Sequence, residues 1–364
     1  MNRYEGATYD VSAVKVAFIG TAHPHSRAYL ETLSQVGEIE VTAILDNGGQ
    51  TAGSFPRAAR FATLPALLES AAFDAAFVLL PNDEAFSACE TLARAGKHIF
   101  CEKPVCRTAD EMHALALAVR KAGVVFCTGY QWRVHPIARY VKELIAGGYL
   151  GTVHTVEARM VTTTVEARNP RHYLFDKARS GGGIVHWLGC HHIDLLRFLL
   201  DQEVDAVAAL TATVTPHAIS VEDVALAVLR FSGGSLGSLH QGYLIPGSVD
   251  DAFMKSSYDS FIAVRGSKGW LHWDPRQPVV EVSSLDGRWA GAPQQKIEFS
   301  LSQKSGYGWA GFEMATRFAR CVRTGERAVA SEIDALRALE VIEAVYRSAE
   351  SGKLEAIERR LANT

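Results

Sequence analysis

From Val14 to about Gln131, short apolar runs alternate strictly with amphipathic stretches. Few folds other than a doubly wound parallel sheet satisfy that order. The runs are 14–19 (VKVAFI), 39–45 (IEVTAIL), 73–80 (FDAAFVLL), 97–101 (KHIFC) and 124–128. They are largely apolar rather than alternating, as expected of strands covered on both faces. Between them the pattern predicts a helix burying Tyr29, Leu30 and Leu33, and helices over 84–95 and 109–122. The last two stop at Gly96 and Gly123, where a left-handed residue ends the turn. Residues 1–12 read as a loose arm.

Beyond Gln131 the rhythm changes. The sequence predicts a helix over 136–146, a long strand over 152–165 and a glycine-entered helix over 181–200. Strand-like runs then fill 204–282, broken by Gly-Gly, Pro-Gly and Gly-Ser, before helices over 311–323 and 332–351. Strands in succession imply an antiparallel sheet faced by helices, hence an α+β unit. At 364 residues the chain exceeds one comfortable core. The expected units are 13–131 and 132–364.

The formal net charge is -3, and there is no basic block, so nucleic acid is not an expected partner. Six scattered cysteines without a C-x-x-C pair suit a reducing compartment. The polar N-terminus and the lack of a membrane-length apolar run point to a soluble cytoplasmic protein.

The first strand ends in Gly20-Thr21-Ala22-His23-Pro24-His25. A dinucleotide-binding turn carries glycine at its first, third and sixth positions; only Gly20 stands here, with Ala22 small and His25 in place of the third glycine. Asp46 ends the second strand, where an acid hydrogen-bonds the adenine ribose. An acid there repels a 2′-phosphate, and the next residues are Asn47-Gly48-Gly49 with no arginine, which favours NAD over NADP. His23 and His25 read as pyrophosphate-side loop residues rather than metal ligands. Pro81 and Asn82 end the third apolar run, and Glu102, Lys103 and Pro104 the fourth. Together with Gly20, Ala22, His23, His25 and Asp46 they form the expected cofactor set.

Four ordered motifs remain: AGKHIFCEKPV at 95–105, GYQWRVHPIARYVKELIAGGYLG at 129–151, SGGGIVHWLGCHHIDLLRFL at 180–199, and TGERAVASEIDALRALEVIEAVYRSAESGK at 324–353. In these the chain resembles the glucose–fructose oxidoreductase, inositol dehydrogenase and rhizopine-catabolism family, written Gfo/Idh/MocA. The resemblance implies a Rossmann domain followed by a domain with a large open, mainly antiparallel sheet. It also implies homodimers or homotetramers formed through that sheet, and sugar, cyclitol or polyol substrates. In relatives the lysine of Glu-Lys-Pro, beside a proline that is often cis, holds the reacting hydroxyl. An Asp and a His lie one turn apart on the helix after the triple glycine. Lys103, Pro104 and His191 match those positions, whereas the Asp position falls on Trp187.

Oxidising an alcohol needs a base for the hydroxyl proton while hydride leaves the carbon. His191 titrates in the right range to be that base. The Lys103 ammonium would stabilise developing alkoxide; because a second cation lowers a neighbouring pKa, the two roles could also be exchanged. Trp187 shares a helix face with His191 and offers a sugar a stacking surface. Arg133, His172 and Tyr173 are expected substrate contacts, with His135 in support. Asp194 could reach the His191 ring but is expected to anchor its helix, His186 to point away, and Arg168 and Arg171, which could recognise an acidic substrate, to be solvated. No metal is expected. The expected activity is hydride transfer between NAD and a ring hydroxyl. Two alternatives use the same fold: redox-neutral elimination through transient oxidation, and a non-catalytic NAD-binding sensor.

Overall fold

A computed structural model describes residues 12–46, 48, 55–247, 258–301, 304 and 306–361. The expected arm (except residue 12), Asn47 and Gly49 lie outside the described residues.

The first sheet has six parallel strands. They are β1 (Val14–Ile19), β2 (Ile39–Leu45), β3 (Ala59–Phe61), β4 (Ala75–Val78), β5 (His98–Cys101) and β6 (Phe126–Thr128). Their order is β3-β2-β1-β4-β5-β6. The order reverses between β1 and β4, and it is outside the carboxyl ends at such a reversal that these sheets bind ligands. β1, β2 and β4 are almost wholly buried, as their unbroken apolar runs require. Helices Asn82–Arg94 and Ala109–Ala122 fill the crossovers, and Gly123 ends the second at φ +65°. Strand β3 and helix Leu64–Ser70 occupy a stretch in which the sequence announces no element. β3 is three residues, ARF, with no periodicity to detect.

The second sheet has nine strands: β7 (Val153–Thr163), β8 (Val204–Ala212), β9 (Val224–Phe231), β10 (Leu236–Ile245), β11 (Tyr258–Gly266), β12 (Gly269–Trp273), β13 (Val279–Ser284), β14 (Gln294–Glu298) and β15 (Glu355–Ala356). The order is β14-β13-β12-β11-β7-β10-β9-β8-β15. The sheet is mainly antiparallel, as expected, with a parallel pair at its centre. β7 pairs parallel with β10, because the chain between them crosses over through helix Cys190–Leu200.

The two expected units share one core. Helix Gly308–Thr324 packs on β1 and on helix Ser26–Leu33 of the first half. Its Phe318 stands edge-on to Phe77 of β4 and Phe100 of β5, which stack with centroids 4.5 Å apart. Thr128 closes β6 by donating its N–H to the Ala330 carbonyl. Helix Glu332–Ser351 spans both halves, touching helix Ala109–Ala122, β6 and β8. Among the described residues no helix is long and apolar enough to cross a membrane.

Candidate active site

The site starts where β5 ends. Cys101 finishes the strand, and Glu102, Lys103 and Pro104 turn across its carboxyl edge, with the Lys103–Pro104 bond cis. Glu102 is buried, so its carboxylate must be paired. One oxygen accepts from Tyr29 Oη at 2.8 Å, and the other meets His25 Nδ1 at 2.9 Å and lies 3.9 Å from Lys103 Nζ. Burial alone would raise its pKa; His25, Lys103 and His23 outweigh burial and hold it down to about 2. The space is close-fitted: a Cβ on Gly129 would fall 2.8 Å from Glu102 Oε2.

Lys103 is almost fully buried. Its Nζ donates to the Trp187 carbonyl at 2.8 Å and sits 3.6 Å from the centre of the Trp187 ring. Burial lowers its pKa, opposed by Cys190 and Glu102. A desolvated cation on an indole face gains about 2 kcal/mol, which offsets part of the cost of that burial. Tryptophan at 187 therefore holds the ammonium in place, through its ring and through its carbonyl.

Trp187 and His191 ride on one helical segment. It opens with a π turn, Val185–Gly189, and continues as helix Cys190–Leu200, so the triple glycine precedes the helix rather than entering it. The glycines make room. A Cβ on Gly182 would lie 2.0 Å from Tyr346 Oη, and one on Gly183 would lie 1.8 Å from the Glu222 carbonyl. Glu222 caps the segment. Its carboxylate accepts from the N–H groups of Gly183 (2.9 Å) and Val185 (3.0 Å) and from Tyr346 Oη (3.0 Å). An acid at a helix N-terminus satisfies orphan donors and complements the dipole. Nothing local in the sequence marks Glu222, since its partners lie far along the chain. His191 is buried, with no hydrogen-bond partner at Nδ1 among the described residues. Burial, then Lys103, His192 and His25, push its pKa well below the usual histidine range.

The cofactor end lies along the carboxyl edges of β1 and β2. Gly20 takes φ +95°, and a Cβ there would lie 2.2 Å from the Leu79 carbonyl, so glycine is required at this turn. Asp46 accepts from Thr21 Oγ1 at 2.6 Å while its side chain stays partly exposed, as a ribose-binding acid must. Strand β3 supplies what adjacency hides: Arg60 NH1 lies 3.6 Å from Asp46 Oδ2. These residues fit a dinucleotide. Asn82 donates to the Ser180 carbonyl at 2.7 Å, tying the first half to the glycine turn. Pro81 precedes helix Asn82–Arg94 as its cap residue. His23 and His25, read from the sequence as pyrophosphate-side residues, turn toward the second half. Their ring centroids lie 5.6 and 5.3 Å from that of Trp187.

A cavity of about 290 Å³ gathers these groups. His25, Glu102, Lys103, Trp187 and His191 line it, with Arg168, Tyr258 and Arg276 contributed by the second half. Arg168 therefore corrects the solvated expectation, while Arg171 is exposed. Arg133 is a second correction. Its guanidinium forks onto Asp194 at 2.7–3.1 Å and also reaches Asp334 (2.8 Å) and the Val329 carbonyl (3.1 Å). It ties the His191 helix to helix Glu332–Ser351 instead of lining the cavity. Asp194 is thereby an anchor. His135 stacks on Trp273, and His186 meets the Cys106 carbonyl at 3.0 Å; both are off the cavity. His172 accepts from the Leu174 N–H at the start of a short helical turn, and Tyr173 lies against His172 and His23. Neither lines the cavity, and the buried Tyr173 hydroxyl has no partner among the described residues.

Residues 14–130 match the oxidoreductase family model with an NAD-binding Rossmann fold, and residues 138–272 match the Gfo/Idh/MocA C-terminal domain. The chain belongs to the Gfo/Idh/MocA oxidoreductase family. It is 27% identical over 340 residues to the uncharacterised oxidoreductase YrbE of Bacillus subtilis, covering 91% of this chain and 93% of that one. It is 28% identical over 270 residues to inositol 2-dehydrogenase of Rhizobium meliloti, covering 70% and 77%. The fold superposes on that of levoglucosan dehydrogenase in complex with NADH and levoglucosan. The TM-score is 0.85 at 19% identity, over 96% of this chain and 100% of that one. The first sheet is thus the family's NAD-binding Rossmann domain, and the mixed, mainly antiparallel sheet its C-terminal partner.

Glu102 gives the site an acid signature. A carboxylate whose folded pKa lies below its unfolded value stabilises the fold above the unfolded value and ceases to as pH falls through the folded one. The native protein should lose stability between pH 4.5 and about 2. Chemical denaturation across that window should show a shallower pH slope for Glu102→Gln; an unchanged slope would mean that Glu102 is not the group holding its partners.

Proposed function

We propose that this protein oxidises a ring hydroxyl of a sugar, cyclitol or glycoside with NAD as hydride acceptor. The observation that carries this reading is the pairing of Lys103 and His191 at one cavity outside the carboxyl end of β5. Bound NAD supplies the hydride acceptor. Lys103, fixed by Trp187, binds the reacting oxygen and stabilises negative charge developing on it. His191 hydrogen-bonds the same hydroxyl or its neighbour. Trp132, Trp187 and Tyr258 line the cavity with aromatic faces that suit the apolar face of a sugar ring. The volume has room for one small ring. The resemblance to inositol 2-dehydrogenase supports the same substrate class.

Mixing the protein with NAD and a panel of sugars, inositols and glycosides should give continuing absorbance of reduced nicotinamide with at least one of them. Lys103→Met should lower kcat by about 10²–10³-fold on that substrate. No NADH with any panel member, or an unaffected Lys103→Met, would defeat the reading.

Asp46 supports a preference for NAD, because its carboxylate would face a 2′-phosphate. Arg60 beside it offers that phosphate a counter-charge once the acid is gone. Asp46→Ala should shift the ratio of kcat/KM for NADP over NAD upward by about tenfold or more. A ratio that stayed put would remove Asp46 from cofactor selection.

We further propose that the chain assembles as a homodimer or homotetramer through the open face of the second sheet. Leu210, Leu226, Val228, Leu236 and Trp270 are at least 40% exposed there, on one face by register. Exposed apolar side chains gathered on one sheet face mark a surface for association. Light scattering should give a multiple of the 39.6 kDa chain mass, and Leu226→Lys with Val228→Lys should reduce it. A monomeric parent protein would exclude this assembly.

A further inference from the structure

The cavity holds Lys103 and His191 but leaves open which group takes the hydroxyl proton. Lys103 already donates to a carbonyl and rests on an indole face, contacts that favour its ammonium form and occupy it, against the burial that lowers its pKa. Burial holds Tyr29 and Tyr307 well above the usual phenol range, so neither phenol ionises readily. Glu102 is saturated by three partners. Among the described residues His191 has no carboxylate to orient it, and its buried Nδ1 has no partner.

His25 differs from all of these. Its Nδ1 lies 2.9 Å from Glu102 Oε1, and an ionised carboxylate only accepts, so Nδ1 is the donor. A neutral ring that donates through Nδ1 carries its lone pair on Nε2. A carboxylate fixing one imidazole nitrogen as a donor sets the tautomer and raises the basicity of the other. The ring is wedged between Trp187 (5.3 Å) and Tyr307 (5.2 Å), lines the cavity, and shares the Glu102 oxygen with Lys103.

We propose that His25, oriented by Glu102, is the proton acceptor of the reaction. This rests on the dehydrogenase reading above. In the oxidising direction the O–H bond of the substrate breaks and its proton goes to His25 Nε2. The carbinol C–H electron pair leaves with its hydrogen as hydride to NAD⁺. The carbon becomes a carbonyl, NAD⁺ is reduced to NADH, and His25 becomes an imidazolium paired with Glu102. Water takes the proton after the product departs.

The groups facing His25 are His23 on its own loop, Tyr29, Glu102, Lys103, Arg168, His191 and Tyr307. Burial lowers the ring's pKa, with Glu102 opposing, so the base form dominates at neutral pH. Activity should then rise with pH along a limb below the ordinary histidine value. His25→Gln should lower kcat by about 10²–10⁴-fold, abolish that limb and change NAD affinity, measured by fluorescence quenching, by less than about threefold. In the cofactor-free protein, a nuclear magnetic resonance titration of the His25 ring should move to lower pH in Glu102→Gln, which keeps an acceptor but removes the charge.

An unchanged kcat and pH limb in a folded His25→Gln, with the unsubstituted protein turning over, would overturn this proposal alone. So would a fall in NAD affinity as large as the fall in rate, which would make His25 a cofactor contact. A Glu102→Gln ring titration that did not move would overturn the dyad whether or not a substrate is in hand. Failure of the unsubstituted protein to form NADH would remove the dehydrogenase reading and this assignment together.

Discussion

The buried carboxylate of Glu102 is the constraint around which the site is arranged. A charge removed from water must be answered, and here the answers come from different parts of the chain: a loop histidine, a helix tyrosine and the neighbouring lysine. Each partner is then no longer free to choose its own orientation. Gly129 is glycine because the acid leaves no room for a side chain. Tyr29 reaches Glu102 from the first helix and lies tilted against Tyr307 from the C-terminal part of the chain, with centroids 4.5 Å apart. One carboxylate therefore registers the nucleotide loop, the end of β5 and the C-terminal helices against one another.

The other half of the site is built on a different logic. The segment bearing Trp187 and His191 is held at its start by Glu222 and Tyr346, and farther along by Arg133 on Asp194. Gly182 and Gly183 let Tyr346 and Glu222 come close. The tryptophan then acts on the lysine across the domain boundary with an aromatic face and a backbone carbonyl. Neither can take a proton, so the segment positions Lys103 without competing with it.

Much of this was legible beforehand. The alternation of apolar runs gave β1 and β2 with their observed limits, glycine punctuation located the end of helix Ala109–Ala122, and the bounds of helix Glu332–Ser351 were also read from the sequence. Lys103 and His191 were legible because their motifs carry spacing. What stayed hidden is what depends on long-range pairing. Arg60 reaches Asp46 only because a three-residue strand carries it there. Glu222 bonds residues 37 and 39 positions away. Arg133 looked like a ligand contact because a cation near a site motif usually is one; its two acids sit on helices packed beside it. The π turn has no signature in apolar periodicity, so the helix seemed to begin at the glycines. His25 was noticed, but its neighbour in sequence is the nucleotide loop and its neighbour in space is Glu102.

The shared aromatic core has a consequence for how the protein is made. The stacked pair Phe77 and Phe100 is completed by Phe318, and the last strand of the Rossmann sheet is closed by Ala330. During synthesis the nascent chain exposes this face from the time β5 leaves the ribosome until nearly all of the remainder has followed. The nucleotide-binding half, although first in order, thus lacks the cover of this face until Phe318 and Ala330 have been made. Its waiting apolar surface is the kind that chaperones shield, and most of the chain's translation time separates the two sides of that contact.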